Sequence, residues 1–226
     1  MKYNGFDSLL GTSHKSDLSD AWDDRYLTSM MYLRPFETMV DGIVRNVCAN
    51  AKQNGCADPC LNTSGHGSMA PVQQVRKART MMYWKDRVGF LSILEGNIRK
   101  HVAKAHKLGR KPVVRLNGTS DIPWELGQTI IAHPSVQFYD YTKSAKRMVR
   151  YLEGKMPANY HLTFSRGAGN DAEAAEILRL GGNVAMVFRH HIPSFYTVEG
   201  VEYPVIDGTK HDLRFLDPQG VIVGLT

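Results

Sequence analysis

Short apolar segments alternate with amphipathic helical segments in the second half of this chain, and this alternation constrains the fold more than any other feature. Strand-like runs lie at residues 112–117, 136–142, 160–165 and 183–188, and helical patterns at 124–132, 145–152 and 171–180 separate them. A longer helical pattern over 87–108 precedes the first run and ends before Gly109. Strands that alternate with helices in this way indicate a parallel sheet with right-handed crossovers.

The number of strands limits the architecture. About six strands can be counted, with a first strand or hairpin at 37–47 and further strand and turn after 203, which is too few for a complete eight-stranded barrel. We therefore predict an α/β fold, a partial parallel (βα)6 barrel of TIM-barrel type, as one domain over residues 37–226. Residues 1–36 show no regular pattern and are predicted to form an N-terminal arm.

The composition excludes several classes of protein. Hydrophobic residues make up 42% and charged residues 22% of the 226, which is typical of a globular protein. Since there is no apolar run of about eighteen residues and no apolar segment after Met1, we expect no membrane span, no secretory leader and a cytoplasmic location. The net charge of +6 permits an anionic partner, a nucleotide or a nucleic acid, and is equally compatible with a solvated basic surface.

All three cysteines lie in one turn-rich stretch. Cys48, Cys56 and Cys60 have the spacing C-x7-C-x3-C, among Asn, Gly, Asp and Pro residues. Thiolates gathered on a loop suit a soft metal ion or an iron–sulfur cluster, whereas buried structural cysteines are usually scattered through a core. Three thiolates leave one coordination position open, and in a zinc interpretation His66 is the fourth ligand. The spacing favours a metal site over inert thiols.

Polar residues follow the predicted strands at their carboxyl ends, where ligands of parallel α/β sheets bind. The candidates are Arg115, Asn117, Ser120, Asp121, Tyr141, Lys143 and Ser165, with Tyr141 and Lys143 as the catalytic candidates. Lys143, Arg166 and Arg189 follow successive strands, which predicts a shared mouth that favours a phosphate-bearing ligand. Each residue also has a simpler explanation, because strand ends border loops and loops are polar.

The chain resembles the phage and plasmid proteins of the gene product 88-like family from about residue 40 to residue 226. Four stretches carry the resemblance, namely Cys56–Gly67, Val114–Ile122, Tyr139–Lys143 and His211–Pro218. Little chemistry follows from this family. For a phage-encoded protein, the resemblance implies that the cytoplasm is that of the host cell.

A second similarity is to radical S-adenosylmethionine enzymes. The chain is similar to them in the order of its parts, which are a strand, a three-cysteine loop, a long helix, a second strand and a polar loop. The resemblance implies that Cys48, Cys56 and Cys60 hold a [4Fe–4S] cluster whose fourth iron is free for S-adenosylmethionine. It implies cofactor contacts from the polar loop, from the strand before it and from a later strand, through Asn117, Ser120, Asp121, Arg115 and Ser165. The family's usual spacing is C-x3-C-x2-C, and Pro59 stands where an aromatic residue usually precedes the last cysteine.

Three functions stay open at this point. The first is a small radical S-adenosylmethionine enzyme, which acts on a small-molecule, nucleotide or nucleic-acid-related substrate and needs an electron donor. The second is a zinc protein with Cys48, Cys56, Cys60 and His66 as ligands and a structural or nucleic-acid-binding role without catalysis. The third is an accessory protein that acts by protein contact.

Overall fold

The computed structural model describes residues 8–56 and 65–226, the side chains of Gly65 and His66 excepted. The described strands are β1 (Leu10–Gly11), β2 (Tyr26–Met31), β3 (Glu37–Val40), β4 (Ile43–Asn46), β5 (Lys111–Arg115), β6 (Gln137–Thr142), β7 (Tyr160–Ser165), β8 (Val184–Val187), β9 (Phe195–Val198), β10 (Val201–Asp207) and β11 (Ile222–Leu225). The described α-helices are α1 (His14–Trp22), α2 (Ala70–Lys85), α3 (Arg87–Lys107), α4 (Ala145–Leu152) and α5 (Asp171–Arg179).

Nine of these strands form one mixed sheet in the order β1-β2-β5-β6-β7-β8-β11-β10-β9, and β3 and β4 form a separate hairpin. The strands from β2 to β10 in this order run parallel. β1 and β9 are antiparallel to their neighbours at the two edges. No pairing among the described strands joins these edges, so the sheet is open and the partial barrel stays a prediction.

Different elements pack against the two faces of the sheet. Alternate residues of the central strands, such as Val114 and Phe138, pack in the main hydrophobic core together with residues of α2, α3, α4 and α5. Their neighbours Val113 and Tyr139 point the other way and pack with Leu213 in a smaller core. This second face, called the inner face below, is covered by α1 and by residues 208–217, which lead from β10 toward β11.

The long helix α3 follows from its apolar spacing and its ends. Phe90, Leu94 and Ile98 recur every four residues and are completely buried against the sheet. The Asp86 carboxylate caps the helix by accepting a hydrogen bond from the Gly89 N–H at 2.8 Å. Gly109, with φ of 68°, follows the last turn, as expected for a helix C-terminus. No helix among the described residues is both long enough and apolar enough to cross a lipid bilayer.

The N-terminal region differs from the predicted arm. Residues 8–36 contribute β1, α1 and β2 to the same unit, and β2 lies inside the sheet between β1 and β5. All six residues of β2 are buried, and this is why its sequence lacks the alternation that marks a half-exposed strand. Residues 37–46 form the β3–β4 hairpin outside the main sheet, and its turn has positive φ at Asp41 and Gly42.

The predicted helix at 124–132 is also different. Only Trp124–Leu126 is helical, as a single 3-10 turn, and irregular turns follow up to residue 135. Gly127 ends this 3-10 turn with an extended backbone, which interrupts the helical pattern before it can continue.

Candidate functional site

A cavity of about 140 Å³, open to solvent, lies at the carboxyl ends of β2, β5, β6 and β7, beneath the cysteine-containing loop. Its lining includes Cys48 and Cys56 and every strand-end candidate named from the sequence, namely Arg115, Asn117, Ser120, Asp121, Tyr141, Lys143 and Ser165. Pro35, Phe36, Asn50, Ala51, Gly118, Thr119 and Thr142 complete the lining. The parallel topology therefore brings the candidates together in one place.

Backbone turns fold the cysteine loop back toward the sheet. The Ala51 N–H donates to the Cys48 carbonyl at 3.0 Å, and the Cys56 N–H donates to the Ala51 carbonyl at 2.8 Å. The Cys48 thiol lies 3.5 Å from the Thr119 carbonyl, which belongs to the polar loop after β5. Both thiols are partly exposed, and neither is part of a disulfide. Seven residues separate Cys48 from Cys56 in the sequence, and both line the same cavity.

Asn117 organises the polar loop after β5. Its side-chain oxygen accepts hydrogen bonds from the Ser120 hydroxyl at 2.7 Å and from the Ile122 N–H at 2.9 Å. Its amide nitrogen donates to the Ile122 carbonyl at 2.9 Å and to the Asp140 carboxylate at 3.0 Å. Asn117 is almost fully buried, so its hydrogen-bonding capacity is used within the protein. Its role in the cavity is to shape the loop that carries Ser120.

The carboxylate of Asp121 is also held by contacts within the protein. One carboxylate oxygen pairs with Arg147 of α4, and the other accepts from the Lys143 N–H at 3.0 Å and from the Thr142 hydroxyl at 3.2 Å. Arg147 also pairs with Glu125 at 2.8 Å, so two carboxylates share one guanidinium. This network ties the polar loop to the end of β6 and the start of α4. The Asp121 carboxylate therefore has a supporting role in the described geometry.

Lys143 presents its ammonium group at the cavity wall. Its Nζ donates to the Ser165 hydroxyl at 3.2 Å, to the Ser165 carbonyl at 3.3 Å and to the Arg166 carbonyl at 3.2 Å. Burial lowers the pKa of Lys143, and the neighbouring Cys56 and Asp121 oppose that shift. No carboxylate of the described residues lies within 4.0 Å of this nitrogen. A cation without a direct counter-charge therefore faces the cavity.

Arg115 and Tyr141 reach the cavity from the inner face and share one partner, Asp212. Arg115 Nη1 donates to one Asp212 oxygen at 2.7 Å, and the Tyr141 hydroxyl donates to the other at 2.8 Å. The Tyr139 hydroxyl adds a third bond at 3.0 Å, and the Asp212 N–H donates to the Ser19 hydroxyl of α1 at 2.9 Å. Burial alone would raise the pKa of Asp212, but the Arg115 charge holds it below its usual value.

A comparison with protein-family models matches residues 9–226 to the family described as gene product 88. The match covers nearly the whole chain. This protein belongs to the gene product 88 family. Searches of the curated proteins and of the solved structures found no match.

One stretch that carried the resemblance to the gene product 88 family supplies the residue that the sequence analysis missed. Asp212 belongs to His211–Pro218, and it lies beneath the cavity although 97 positions separate it from Arg115. The only signal in the sequence was the acidic residue inside a family-like segment. No periodicity or spacing could place it under β5 and β6, because the segment has no regular secondary structure beyond one 3-10 turn.

Phe36 is a second residue without a signal in the sequence. It lines the cavity, and its φ of 60° lies in the left-handed region that bulky residues rarely occupy. Its carbonyl accepts a hydrogen bond from the Val47 N–H at 3.2 Å, directly before Cys48. Residues held in sparsely populated backbone regions occur repeatedly at active sites and ligand-binding sites.

Two glycines after β7 let the cysteine loop approach closely. A Cβ atom at Gly167 would lie 2.6 Å from the Asn54 carbonyl, and one at Gly169 would lie 2.4 Å from the Gln53 carbonyl. The contacts show loop-to-loop packing, which places the cysteine loop against the end of β7.

The predicted grouping of three cations at one site entrance is not observed. Among Lys143, Arg166 and Arg189, only Lys143 lines the cavity. Arg166 pairs with Asp171 at the start of α5, and Arg189 is exposed beyond the end of β8. The strand ends of β7 and β8 therefore do not direct their arginines to a common point.

Two predicted ligands, Cys60 and the side chain of His66, lie outside the described residues. Within the part of the chain that the structure describes, no group of three His, Cys, Asp or Glu side chains is arranged to hold a metal ion. The cysteine site is therefore defined here by Cys48 and Cys56 alone.

Proposed function

We propose that this member of the gene product 88 family is a small iron–sulfur enzyme that uses S-adenosylmethionine and acts on a small-molecule or nucleotide substrate. One observation carries the proposal. Cys48 and Cys56 line a cavity at the carboxyl ends of parallel strands, together with the polar loop after β5. The partial-barrel fold and the phage origin belong to the same proposal.

The donor set fits a cluster. Thiolate is the ligand that iron–sulfur clusters require, and Cys48 and Cys56 face one cavity without a disulfide between them. Cys60 follows Cys56 by four positions in the sequence, so the length of the chain allows it to complete a three-thiolate set. With three cysteine ligands one iron stays open to a cofactor.

The cavity also has groups that suit a polar cofactor. The buried Nε of Arg115 has no hydrogen-bond acceptor among the described residues, and a bound carboxylate or carbonyl would supply one. Lys143 offers a positive charge, and the Ser120 and Ser165 hydroxyls offer further hydrogen bonds. When bound, the cluster would supply the electron that cleaves S-adenosylmethionine and starts hydrogen abstraction from the substrate.

The chain's own residues would then bind, orient and shield the reactants. Asp212 fixes the side chains of Arg115 and Tyr141 in the cavity wall, and Asp121 fixes the backbone of Lys143. Tyr141 and Lys143 remain the catalytic candidates, since both line the cavity and carry a transferable proton. An external electron donor completes this scheme.

Anaerobic purification tests the proposal. The protein should be brown, absorb near 400 nm and contain about four iron and four sulfide per chain. Cys48→Ala, Cys56→Ala and Cys60→Ala should each lose the iron, and His66→Ala should retain it. Stoichiometric zinc without sulfide would overturn the proposal, and loss of that zinc in His66→Ala would establish the Cys3His alternative.

Binding of the cofactor is tested separately by calorimetry on the iron-loaded protein. Lys143→Met should weaken S-adenosylmethionine binding by about ten- to a hundredfold, since a charge-assisted hydrogen bond contributes about 1.5–3 kcal/mol. Lys146→Met is the matched control, because Lys146 is exposed on α4 and does not line the cavity. Equal affinity in the wild type and Lys143→Met would remove Lys143 from the cofactor site.

A further inference from the structure

One short segment carries a formal net charge equal to that of the whole chain. Residues 99–111 contain six lysines and arginines and no acidic residue, while the chain as a whole has 28 basic and 22 acidic residues. Without this segment the remainder carries 22 of each sign, so it is neutral by formal charge.

The structure places these cations together on the surface. Lys100, Lys104 and Lys107 are exposed on the second half of α3, and Arg110 and Lys111 follow at the start of β5. We call these five residues the basic patch. Arg99 is not included, because it pairs with Glu95 at 2.9 Å. None of the five has a carboxylate of the described residues within 4.0 Å.

The patch has a defined shape. Lys100, Lys104 and Lys107 are spaced by four and three residues, so they share one helix face over about 10 Å. A groove between α3 and the β1–β2 edge runs beside them, with Lys100 and Lys104 in its wall. Asp20 is an acidic group near the patch: Arg110 acts on its charge, and its carboxylate accepts a hydrogen bond from the Thr28 N–H.

The patch lies at the opposite end of the sheet from the cavity. Lys111 is the first residue of β5, and Arg115 at its other end lines the cavity. Strand β5 runs away from the patch toward the cavity, and α3 runs in the reverse direction. The patch is therefore a separate surface, and its function does not depend on the proposed cofactor chemistry.

We propose that the basic patch is a docking surface for double-stranded nucleic acid, which it contacts through the phosphate backbone. Five neighbouring cations without a carboxylate partner among the described residues, three of them along one helix face, suit the phosphates of a duplex. Single strands are bound mainly by stacking on exposed aromatic rings, and the ring of Tyr26, which lies beside Lys111, is buried. Insertion into a lipid surface would need an apolar helix face, but Phe90, Leu94 and Ile98 of α3 are buried in the core.

Fluorescence anisotropy with a labelled duplex of about 20 base pairs tests this surface, using the full chain. If the protein neutralises about five phosphates, the slope of log K against log salt should be about −4.5. Affinity should then fall several hundredfold between about 50 and 200 mM salt. Lys104→Glu combined with Lys107→Glu should weaken binding at least about tenfold and make the slope shallower by about 2.

The matched control is Lys77→Glu combined with Lys146→Glu, which changes the net charge equally at exposed positions of α2 and α4. This control should weaken binding less than about threefold, and circular dichroism melting should show both double variants to be folded. Equal losses in the two double variants would overturn the proposal, as would absence of binding at 50 mM salt. Stronger competition by polyglutamate than by unlabelled duplex would assign the patch to an acidic polypeptide instead.

Discussion

The buried pair of Arg115 and Asp212 allows the sharpest test of how the cavity is built. Arg115 is 8% exposed and Asp212 is 3% exposed, and Nη1 lies 2.7 Å from Oδ2. Removing one partner leaves a buried charge without its counter-charge, which typically costs about 3–5 kcal/mol. Asp212→Asn keeps the size and one acceptor for the tyrosine hydroxyls but leaves the guanidinium unpaired. We expect it to lose about 4 kcal/mol of unfolding free energy.

Arg115→Met should cost somewhat less, about 3 kcal/mol. The Asp212 carboxylate keeps the hydroxyls of Tyr139 and Tyr141 as donors in that variant, and Lys15 of α1 also stabilises its charge. The double variant removes both charges, so its cost should be well below the sum of the two. A coupling energy of about 2–3 kcal/mol is expected, since neighbouring charges are not additive.

Urea unfolding at pH 7 measures all four proteins. With a slope of about 2 kcal/mol per molar urea, the loss of 4 kcal/mol in Asp212→Asn moves the midpoint down by about 2 M. Costs below about 1 kcal/mol for both single variants would refute the argument, because the pair would then be solvated. Additivity within about 0.5 kcal/mol would equally refute it, since the two residues would then act independently.

Two further predictions concern the supports of the site. Burial raises the pKa of Asp140 to about 7, so the folded state binds its proton more tightly than the unfolded state and stability falls as pH rises from about 4 to 7. The free energy of unfolding of Asp140→Asn minus that of the wild type should increase by about 3 kcal/mol from pH 5 to pH 8, as measured by urea unfolding. A difference between the two proteins that does not change with pH would contradict this. Gly169→Ala should collide with the Gln53 carbonyl and cost about 1–3 kcal/mol in thermal or urea unfolding. Gly96→Ala, with open space around its Cβ, should be neutral or stabilising, and equal costs would exclude the loop contact.

The regular part of the fold could be predicted from local patterns. The helical spacing over 87–108 gave α3 to within one residue, and the strand-like runs gave β5 to β8 with similar bounds. The grouping of Arg115, Asn117, Lys143 and Ser165 also followed, because carboxyl ends of parallel strands meet at one edge. These inferences need only the periodicity of each segment and the rule for parallel sheets.

The parts that could not be predicted depend on contacts between distant segments. Asp212 meets Arg115 only after the chain has returned across the inner face, and Ser19 of α1 meets the backbone of Asp212. Strand β2 is covered on both faces, so its pattern does not alternate. The left-handed backbone of Phe36 contradicts the local preference of a bulky residue, and surrounding contacts must impose it.

The distribution of charge shows why net charge alone does not locate the binding site of an anionic ligand. A charge of +6 and three cations at successive strand ends suggested a phosphate site at the cavity, but Asp171 pairs with Arg166 and Arg189 lies beyond the lining. Of these three only Lys143 remains there, and Arg115 in the same lining is paired with Asp212. One cation without a counter-charge suits a carboxylate or a single anionic group rather than a polymer. Cations without a carboxylate partner among the described residues are found instead in the basic patch. Affinity for a polyanion and binding of a small ligand are therefore separable properties, and variants of Lys104 and Lys107 should leave the cavity's ligand affinity unchanged.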